Sequence, residues 1–222
     1  MAGRLVVVSG TGTDIGKTHF AEALLRALAA MGARAAGLKP IESGVADPGR
    51  TDALRLSAVS SFHVKPFGYA FPDGVSPHLA ARRARQAIDV AALVASIHAA
   101  QRQADVLVVE LPGGLFSPLT PSLVNADFAV ELRPDAMLLV VPDRLGALHD
   151  AIAATRAAEA APLPIDGIIL MTPAIPDAST GSNAEELQVL IKPCILATLP
   201  RADTQALARD PGLAAIVRRL TA

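Results

Sequence analysis

Hydrophobic and polar positions along the chain fall into two alternating patterns. Leu5-Val6-Val7-Val8 is apolar at every position and rich in β-branched residues, as expected of a strand covered on both faces. Ser9 to Gly16 is glycine-rich, and from Lys17 onward the apolar residues Phe20, Leu24, Leu25 and Leu28 recur at helical spacing, with Gly32 placed to cap that helix. The same alternation predicts strands at Ala35–Leu38, Val106–Glu110, Met137–Val141, Gly167–Met171 and Cys194–Leu199. Between them it predicts helices near Asp52–Val59, Ile88–Gln103, Ala147–Ala160 and Asn183–Ile191, with a further helix at the end. Apolar strands separated by helices imply an α/β fold: one doubly wound, mainly parallel sheet with helices on both faces. The stretch Phe62–Val75 follows neither period and is expected to be a long loop over the sheet edge.

Composition narrows the setting. The 222 residues are 51% hydrophobic and 18% charged, enough for a substantial core, and no repeat or linker divides residues 1–222, so a single domain is expected. Twenty Lys and Arg against 21 Asp and Glu leave a net charge of −1, which argues against nucleic acid or a membrane surface as partner. Aromatic residues are 3% and Trp is absent, so platforms for stacking bases are few. Every apolar run is far shorter than the ~20 residues of a spanning helix. The lone Cys194 and an N-terminus without the order of a secretory signal lead us to expect a cytoplasmic protein.

Gly10-Thr11-Gly12-Thr13-Asp14-Ile15-Gly16-Lys17-Thr18 lies between the first buried strand and an amphipathic helix, where a phosphate-binding loop belongs. Backbone N–H groups of Gly12 to Gly16 can surround phosphate oxygens, Lys17 can reach the β and γ phosphates, and the Thr18 hydroxyl can hold Mg²⁺. Five residues separate Gly10 from Gly16 where the common pattern has four, so the loop is a variant. Lys39 ends the second strand, Asp52 opens the next helix, and Glu110 ends the strand before Leu111-Pro112-Gly113-Gly114. In a doubly wound sheet these strand ends surround the ligand. A carboxylate at such a tip is a natural Mg²⁺ partner. A solvated Lys39, an Asp52 that merely caps its helix and a Glu110 that merely ends its strand fit the spacing as well.

Taken together, these motifs resemble the ATP-dependent dethiobiotin synthetase family: the variant loop ending Gly16-Lys17-Thr18, then Lys39-Pro40-Ile41-Glu42-Ser43-Gly44, Thr51-Asp52-Ala53, Ser76-Pro77-His78, Glu110 with Gly113-Gly114, Asn125-Ala126-Asp127 and Arg144-Leu145-Gly146. The resemblance implies a homodimeric ligase that uses ATP, Mg²⁺ and CO₂ to close a ureido ring on 7,8-diaminopelargonic acid. It further implies that Lys17 and Lys39 flank the phosphates and that Thr18, Asp52 and Glu110 hold the metal. Thr13 and Ser43 would contact the diamine or its carbamate. Asp14, Ile15, Gly113, Gly114, Thr172 and Pro200 would line the nucleotide, and Leu148 and His149 would meet the substrate carboxylate of the neighbouring subunit.

This chain departs from the family pattern in several places. Asp14 stands for a usual Glu, Leu111-Pro112 for a Gly-Ala pair, His149 for Asn, and Thr172-Pro173 for the Asn that reads adenine, so loose base selection is expected. Two other functional classes fit the loop alone: a nucleotide-driven switch or assembly ATPase, and a nucleotide binder without ligase activity. The switch class commonly carries a further lysine early in its loop, and Gly10-Thr11-Gly12 has none. Arg82, Arg83 and Arg85 read as a solvated helix face, Ser76-Pro77 as a helix start, Asn183 as a helix cap and Cys194 as a core residue.

Overall fold

A computed structural model of the chain describes residues 2–64, 67–191 and 195–221. Cys194 and the residues around it at 192–193, including the start expected for the last strand, lie outside that set. In chain order the elements are β1 (Arg4–Gly10), α1 (Lys17–Ala30), β2 (Ala35–Leu38), β3 (Ile41–Ser43), α2 (Asp52–Val59), β4 (Tyr69–Phe71), α3 (Pro77–Arg83) and α4 (Val90–Gln101). There follow β5 (Val106–Glu110), α5 (Asn125–Leu132), β6 (Ala136–Pro142), α6 (Ala147–Ala160), β7 (Gly167–Met171), α7 (Asn183–Leu190), β8 (Ile195–Leu199), α8 (Thr204–Leu207) and α9 (Pro211–Thr221).

Six strands form one sheet in the order β2-β5-β1-β6-β7-β8, and all its pairings are parallel. Alternation along β1 shows how both faces are covered. Leu5 and Val7 point into one apolar cluster with Leu93 and Ile97 of α4, Phe128 of α5 and Ala151 of α6. Val6 and Val8 point into the other with Phe20, Leu24 and Leu28 of α1 and Ile216 and Val217 of α9. Each fully buried Val, Leu or Phe side chain contributes roughly 1.5–3 kcal/mol relative to exposure, so a continuous apolar strand in the middle of the sheet is strongly held. Gly32, with φ +81°, follows α1 as its left-handed stop.

Three regions depart from the expectations. The stretch expected to be a loop contains β4, which pairs in parallel with β3 as a separate two-stranded ladder, Ile41 opposite Tyr69 and Ser43 opposite Phe71. Tyr69 stacks on Phe71 with ring centroids 5.9 Å apart, so the aromatic residues that broke the apolar period supply that ladder's packing. Helix α5 was not expected, because Asn125 and Asp127 mask its apolar face; Asp127 accepts the N–H of Val124 at 2.8 Å and anchors its start. Asn183 does not cap α7. It is buried in the first turn of α7, and its Nδ2 donates to Asp143 Oδ1 at 2.7 Å, tying the start of that helix to the residue after β6.

Candidate active site

The C-terminal ends of β1, β2 and β5 converge on a cavity of about 820 Å³, and the ends of β1, β6, β7 and β8 on a second of about 760 Å³. The loop Thr13-Asp14-Ile15-Gly16 lines both. Two features of its backbone make the loop possible. Gly16 has φ +96° at the start of α1, a conformation disfavoured for residues with a Cβ, and a Cβ on Gly10 would stand 2.5 Å from Ile15 and 3.0 Å from the Val140 carbonyl. Asp14 also takes a left-handed φ of 57°, which a short polar side chain tolerates better than most.

Lys17 is buried, and its Nζ curls back to donate to the Gly12 carbonyl at 2.5 Å. Burial lowers its pKa from the usual 10.5 to about 8, against the pull of Glu110. A lysine with one acceptor and a destabilised charge is ready to exchange a backbone carbonyl for a phosphate oxygen.

Lys39, Asp52, Glu110 and Thr18 form one interlocked group. Lys39 donates to Asp52 Oδ2 at 2.5 Å and to Glu110 Oε1 at 2.9 Å, and the Thr18 hydroxyl donates to the same Glu110 oxygen at 2.9 Å. Neither bland reading of Lys39 and Asp52 survives. The Lys39 side chain is 10% exposed, and Thr51 is the cap of α2, accepting from the Leu54 N–H at 3.1 Å, with Asp52 inside the helix. Burial pulls Lys39 downward, but Glu110 and Asp52 outweigh it and hold the ammonium above its ordinary value. Burial pushes Asp52 up, yet Lys39, Thr18 and Arg55 bring its carboxyl below the usual range. For Glu110, fully buried at the tip of β5, burial wins over Lys39 and raises the carboxyl.

The second oxygen of Glu110, Oε2, is buried without a hydrogen-bond partner among the described residues. An orphaned carboxylate oxygen beside a threonine hydroxyl and a second carboxylate suits a hard, oxygen-seeking cation. No group of three or more His, Cys, Asp or Glu side chains that could hold a metal occurs among the described residues. The oxygen donors of Thr18, Asp52 and Glu110 fit Mg²⁺, which commonly takes one or two carboxylates and completes its shell with phosphate and water.

The structure brings together Thr13, Asp14, Ile15, Gly16, Lys17, Thr18, Lys39, Ser43, Asp52, Glu110 and Gly113 around the first cavity. Gly12 meets it through the carbonyl that holds Lys17, and Gly114 packs its backbone against Thr11. Thr172 and Pro200 line the second cavity with His19, Arg144, Pro173, Arg201 and Ala202. Leu148 and His149, in the first turn of α6, line neither cavity of the chain, and His149 is exposed.

Sequence reasoning missed five contributors. Glu42 accepts the N–H of Asp52 at 2.8 Å and of Ala53 at 3.3 Å, fixing the start of α2; it lies inside the Lys39–Gly44 motif, which was the signal available. Asn125 donates from Nδ2 to the carbonyls of Pro112 at 2.5 Å and Gly114 at 2.9 Å, and so shapes the turn after Glu110. His19 Nε2 bonds to the Ala202 carbonyl at 2.7 Å, and because a carbonyl only accepts, that nitrogen carries the proton. Glu22 and Arg55 pair across α1 and α2, and only their distance in sequence hid them.

The whole architecture is similar to solved septum site-determining MinD proteins. The one from Pyrococcus horikoshii, in a complex with Mg-ADP, is 18% identical with a TM-score of 0.59 over 100% of this chain and 95% of its own. The Aquifex aeolicus MinC:MinD complex gives 0.60 at 13% identity over 98% and 96%. With the glycine loop at the end of β1, that fold is of the P-loop type. At the level of sequence, the AAA domain family matches residues 4–206. ATP-dependent dethiobiotin synthetases are similar over most of the chain: 35% identity to BioD 1 of Salmonella typhi across 87% of both proteins, and 38% to BioD of Ralstonia nicotianae, also across 87% of both. BioD of Anaeromyxobacter dehalogenans is 36% identical over 89% of this chain and 90% of its own. The chain belongs to the ATP-dependent dethiobiotin synthetase family, whose members are ligases.

Proposed function

We propose that the protein closes the ureido ring of dethiobiotin from 7,8-diaminopelargonic acid, CO₂ and ATP, with Thr13, Ser43, Lys17 and Lys39 at the reacting atoms. The observation that carries this reading is that two lysines, Lys17 and Lys39, line the same cavity as the Thr18–Glu110 hydrogen bond, Lys39 bonded to the same Glu110 oxygen as Thr18. One amine of the substrate adds to CO₂ and loses a proton, giving a carbamate. A carbamate oxygen then attacks the γ phosphorus, the bond to the bridging oxygen breaks, and ADP leaves. Both partners in that step are anions, so the chemistry needs concentrated positive charge more than a strong base. Lys17 meets the β and γ oxygens, with the N–H groups of Gly12 to Gly16 around them. Lys39 faces the transferred group, its charge kept by Asp52 and Glu110.

The resulting carbamic-phosphoric anhydride holds the second amine on the same short chain. That amine attacks the carbonyl carbon, the bond to the phosphate oxygen breaks, the amine's proton passes to the departing phosphate, and the ring closes. Such positioning alone is worth roughly 7–11 kcal/mol of the barrier. Thr13 and Ser43, one from the loop and one from β3, line the cavity where the carbamate would lie and can orient it by hydrogen bonds. Thr18, Asp52 and Glu110 would hold Mg²⁺, which supplies charge neutralisation at the phosphates when bound. Gly113 and Gly114 let the chain pass close to the loop, and Thr172 and Pro200 form the wall on the base side.

The proposal includes a homodimer acting in the cytoplasm as one domain. Leu148 and His149 stand at the N-terminal turn of α6 and outside both cavities of their own chain. In a dimer that turn, with its free N–H groups and positive end, would meet the carboxylate of the diamine in the partner's site.

The direct test supplies purified protein with Mg-ATP and bicarbonate and follows ADP with and without the diamine. The ligase predicts turnover only with the diamine. Equal turnover without it would place the protein among switch ATPases, and no turnover in either case would leave a nucleotide binder.

A further inference from the structure

Arg55 lies in the first turn of α2 and lines the first cavity, yet neither the loop chemistry nor the family motifs use it. Its Nε donates to Glu22 Oε1 at 2.8 Å and its Nη1 to Asp52 Oδ1 at 3.0 Å. Glu22 belongs to α1 and is 8% exposed, so the interface between the two helices holds a carboxylate that depends on this guanidinium for its charge partner. A guanidinium is planar and rigid. With Nε anchored on α1, the direction of Nη1 toward Asp52 is largely set.

Both oxygens of Asp52 are thereby taken by cations, Oδ2 by Lys39 and Oδ1 by Arg55. A divalent metal that uses Asp52 must displace or share one of them. Lys39 is held from two sides, by Asp52 and by buried Glu110, and its side chain is only 10% exposed. Arg55 is 48% exposed, so its Nη1 can tilt off Asp52 toward solvent while Nε stays on Glu22. Arg55 is therefore the partner that yields.

We propose that the Glu22–Arg55 pair is a positioning device that competes with the divalent cation for Asp52 and so sets how tightly the site takes metal. This rests on the reading of Asp52 as a metal partner. Arg55 touches no reactant; it acts through the carboxylate. Metal and Arg55 exclude one another at Oδ1, and the pairing with Glu22 keeps Arg55 nearby to reclaim Asp52 when metal leaves.

Mn²⁺ serves as the probe, its binding in the presence of ADP measured by electron paramagnetic resonance on the whole protein. Four forms are compared: the unaltered chain, Asp52→Asn, Arg55→Gln, and the double variant Glu22→Gln with Arg55→Gln. Arg55→Gln should bind Mn²⁺ about fivefold more tightly, the scale of a partly exposed ion pair. The double variant removes one acid and one base, so its net charge is unchanged, and it should still bind about threefold more tightly because Oδ1 is free. It also keeps the test available if Arg55→Gln alone leaves Glu22 too poorly paired for the chain to fold. Asp52→Asn should bind more weakly than the unaltered chain.

Unchanged or weaker binding in Arg55→Gln, with Asp52→Asn weakened, overturns the competition and leaves the Asp52 assignment standing. Tighter binding in Arg55→Gln that disappears in the double variant also overturns it, since charge alone would then explain the gain. Unchanged binding in Asp52→Asn overturns the Asp52 assignment and the competition with it.

Discussion

The two halves of the cleft are built differently. On the side proposed for the phosphates, Thr18, Lys39, Asp52 and Glu110 are joined by side-chain hydrogen bonds and ion pairs of 2.5 to 2.9 Å, and buried Lys17 beside them is held by the Gly12 carbonyl. On the side proposed for the base, Thr172, Pro173, Ala174, Pro200 and Arg201 line the second cavity, and among the described residues the one side-chain hydrogen bond within that lining runs from His19 to the Ala202 carbonyl. The contrast follows from what each half must recognise. Triphosphate charge is the same on every nucleotide and needs fixed, desolvated cations, whereas a base is distinguished only by directional donors and acceptors. A site that invests its polar side chains on one side should read that side stringently and the other loosely.

The largest effect expected is on the phosphate side. Lys17→Ala should lower kcat by at least about a hundredfold, the scale for losing one preorganised charge at the transition state. Thermal melting should be unchanged or slightly raised, because the buried ammonium is destabilised in the folded chain. A folded variant that keeps most of its turnover would remove the loop from the chemistry.

Proton linkage sharpens the same half. Lys17 carries a pKa of about 8 in the free protein, and only its charged form pairs with phosphate. Below pH 8 the charge is present and ADP affinity should be flat with respect to this group. Above pH 8, binding must restore the proton, so affinity should fall by an amount approaching tenfold per pH unit, with proton uptake on binding. Isothermal titration at pH 7.5, 8.5 and 9.5 in buffers of different ionisation enthalpy reads both quantities. A flat profile across that range would contradict the buried-lysine account.

The base side should respond weakly to a change of base. An adenine-specific pocket is well served by an amide that donates and accepts at once, and Thr172 can offer a single hydroxyl. Both candidate asparagines are committed elsewhere: Asn125 to the carbonyls of Pro112 and Gly114, Asn183 to Asp143. GTP or CTP should support ring closure within about tenfold of ATP in kcat/KM, the factor that 1.4 kcal/mol represents. A preference for ATP above a hundredfold would show that backbone groups near Pro200 to Ala202 read adenine unaided.

The smallest effect is expected at the proposed dimer contact. His149→Ala should raise KM for the diamine about two- to fivefold, the scale of one lost hydrogen bond, and leave KM for ATP unchanged. A fully active monomer by light scattering would refute a shared site.

How far the sequence revealed all this divides along the same line. The phosphate half was legible because its residues sit at fixed offsets from strand ends: Lys17 after β1, Lys39 after β2, Glu110 at the tip of β5. The sheet was legible because strands covered on both faces carry unbroken apolar runs. What escaped was carried by pairs distant in sequence or by polar residues in irregular segments. Glu22 and Arg55 are 33 residues apart and meet only when α1 packs on α2. The β3–β4 ladder is three residues long on each side and too short to show a period. Asn125 opens a helix while bonding backward to the Pro112 turn, a task that no spacing rule announces.

The central claim is that phosphoryl transfer here serves ring closure on a diamine. The most direct measurement supplies ¹³C-bicarbonate, Mg-ATP and the diamine, then determines the label in the product by mass spectrometry against ADP formed. The account predicts a cyclic product carrying one ¹³C for each ADP released. Steady ADP release with no labelled cyclic product would contradict it.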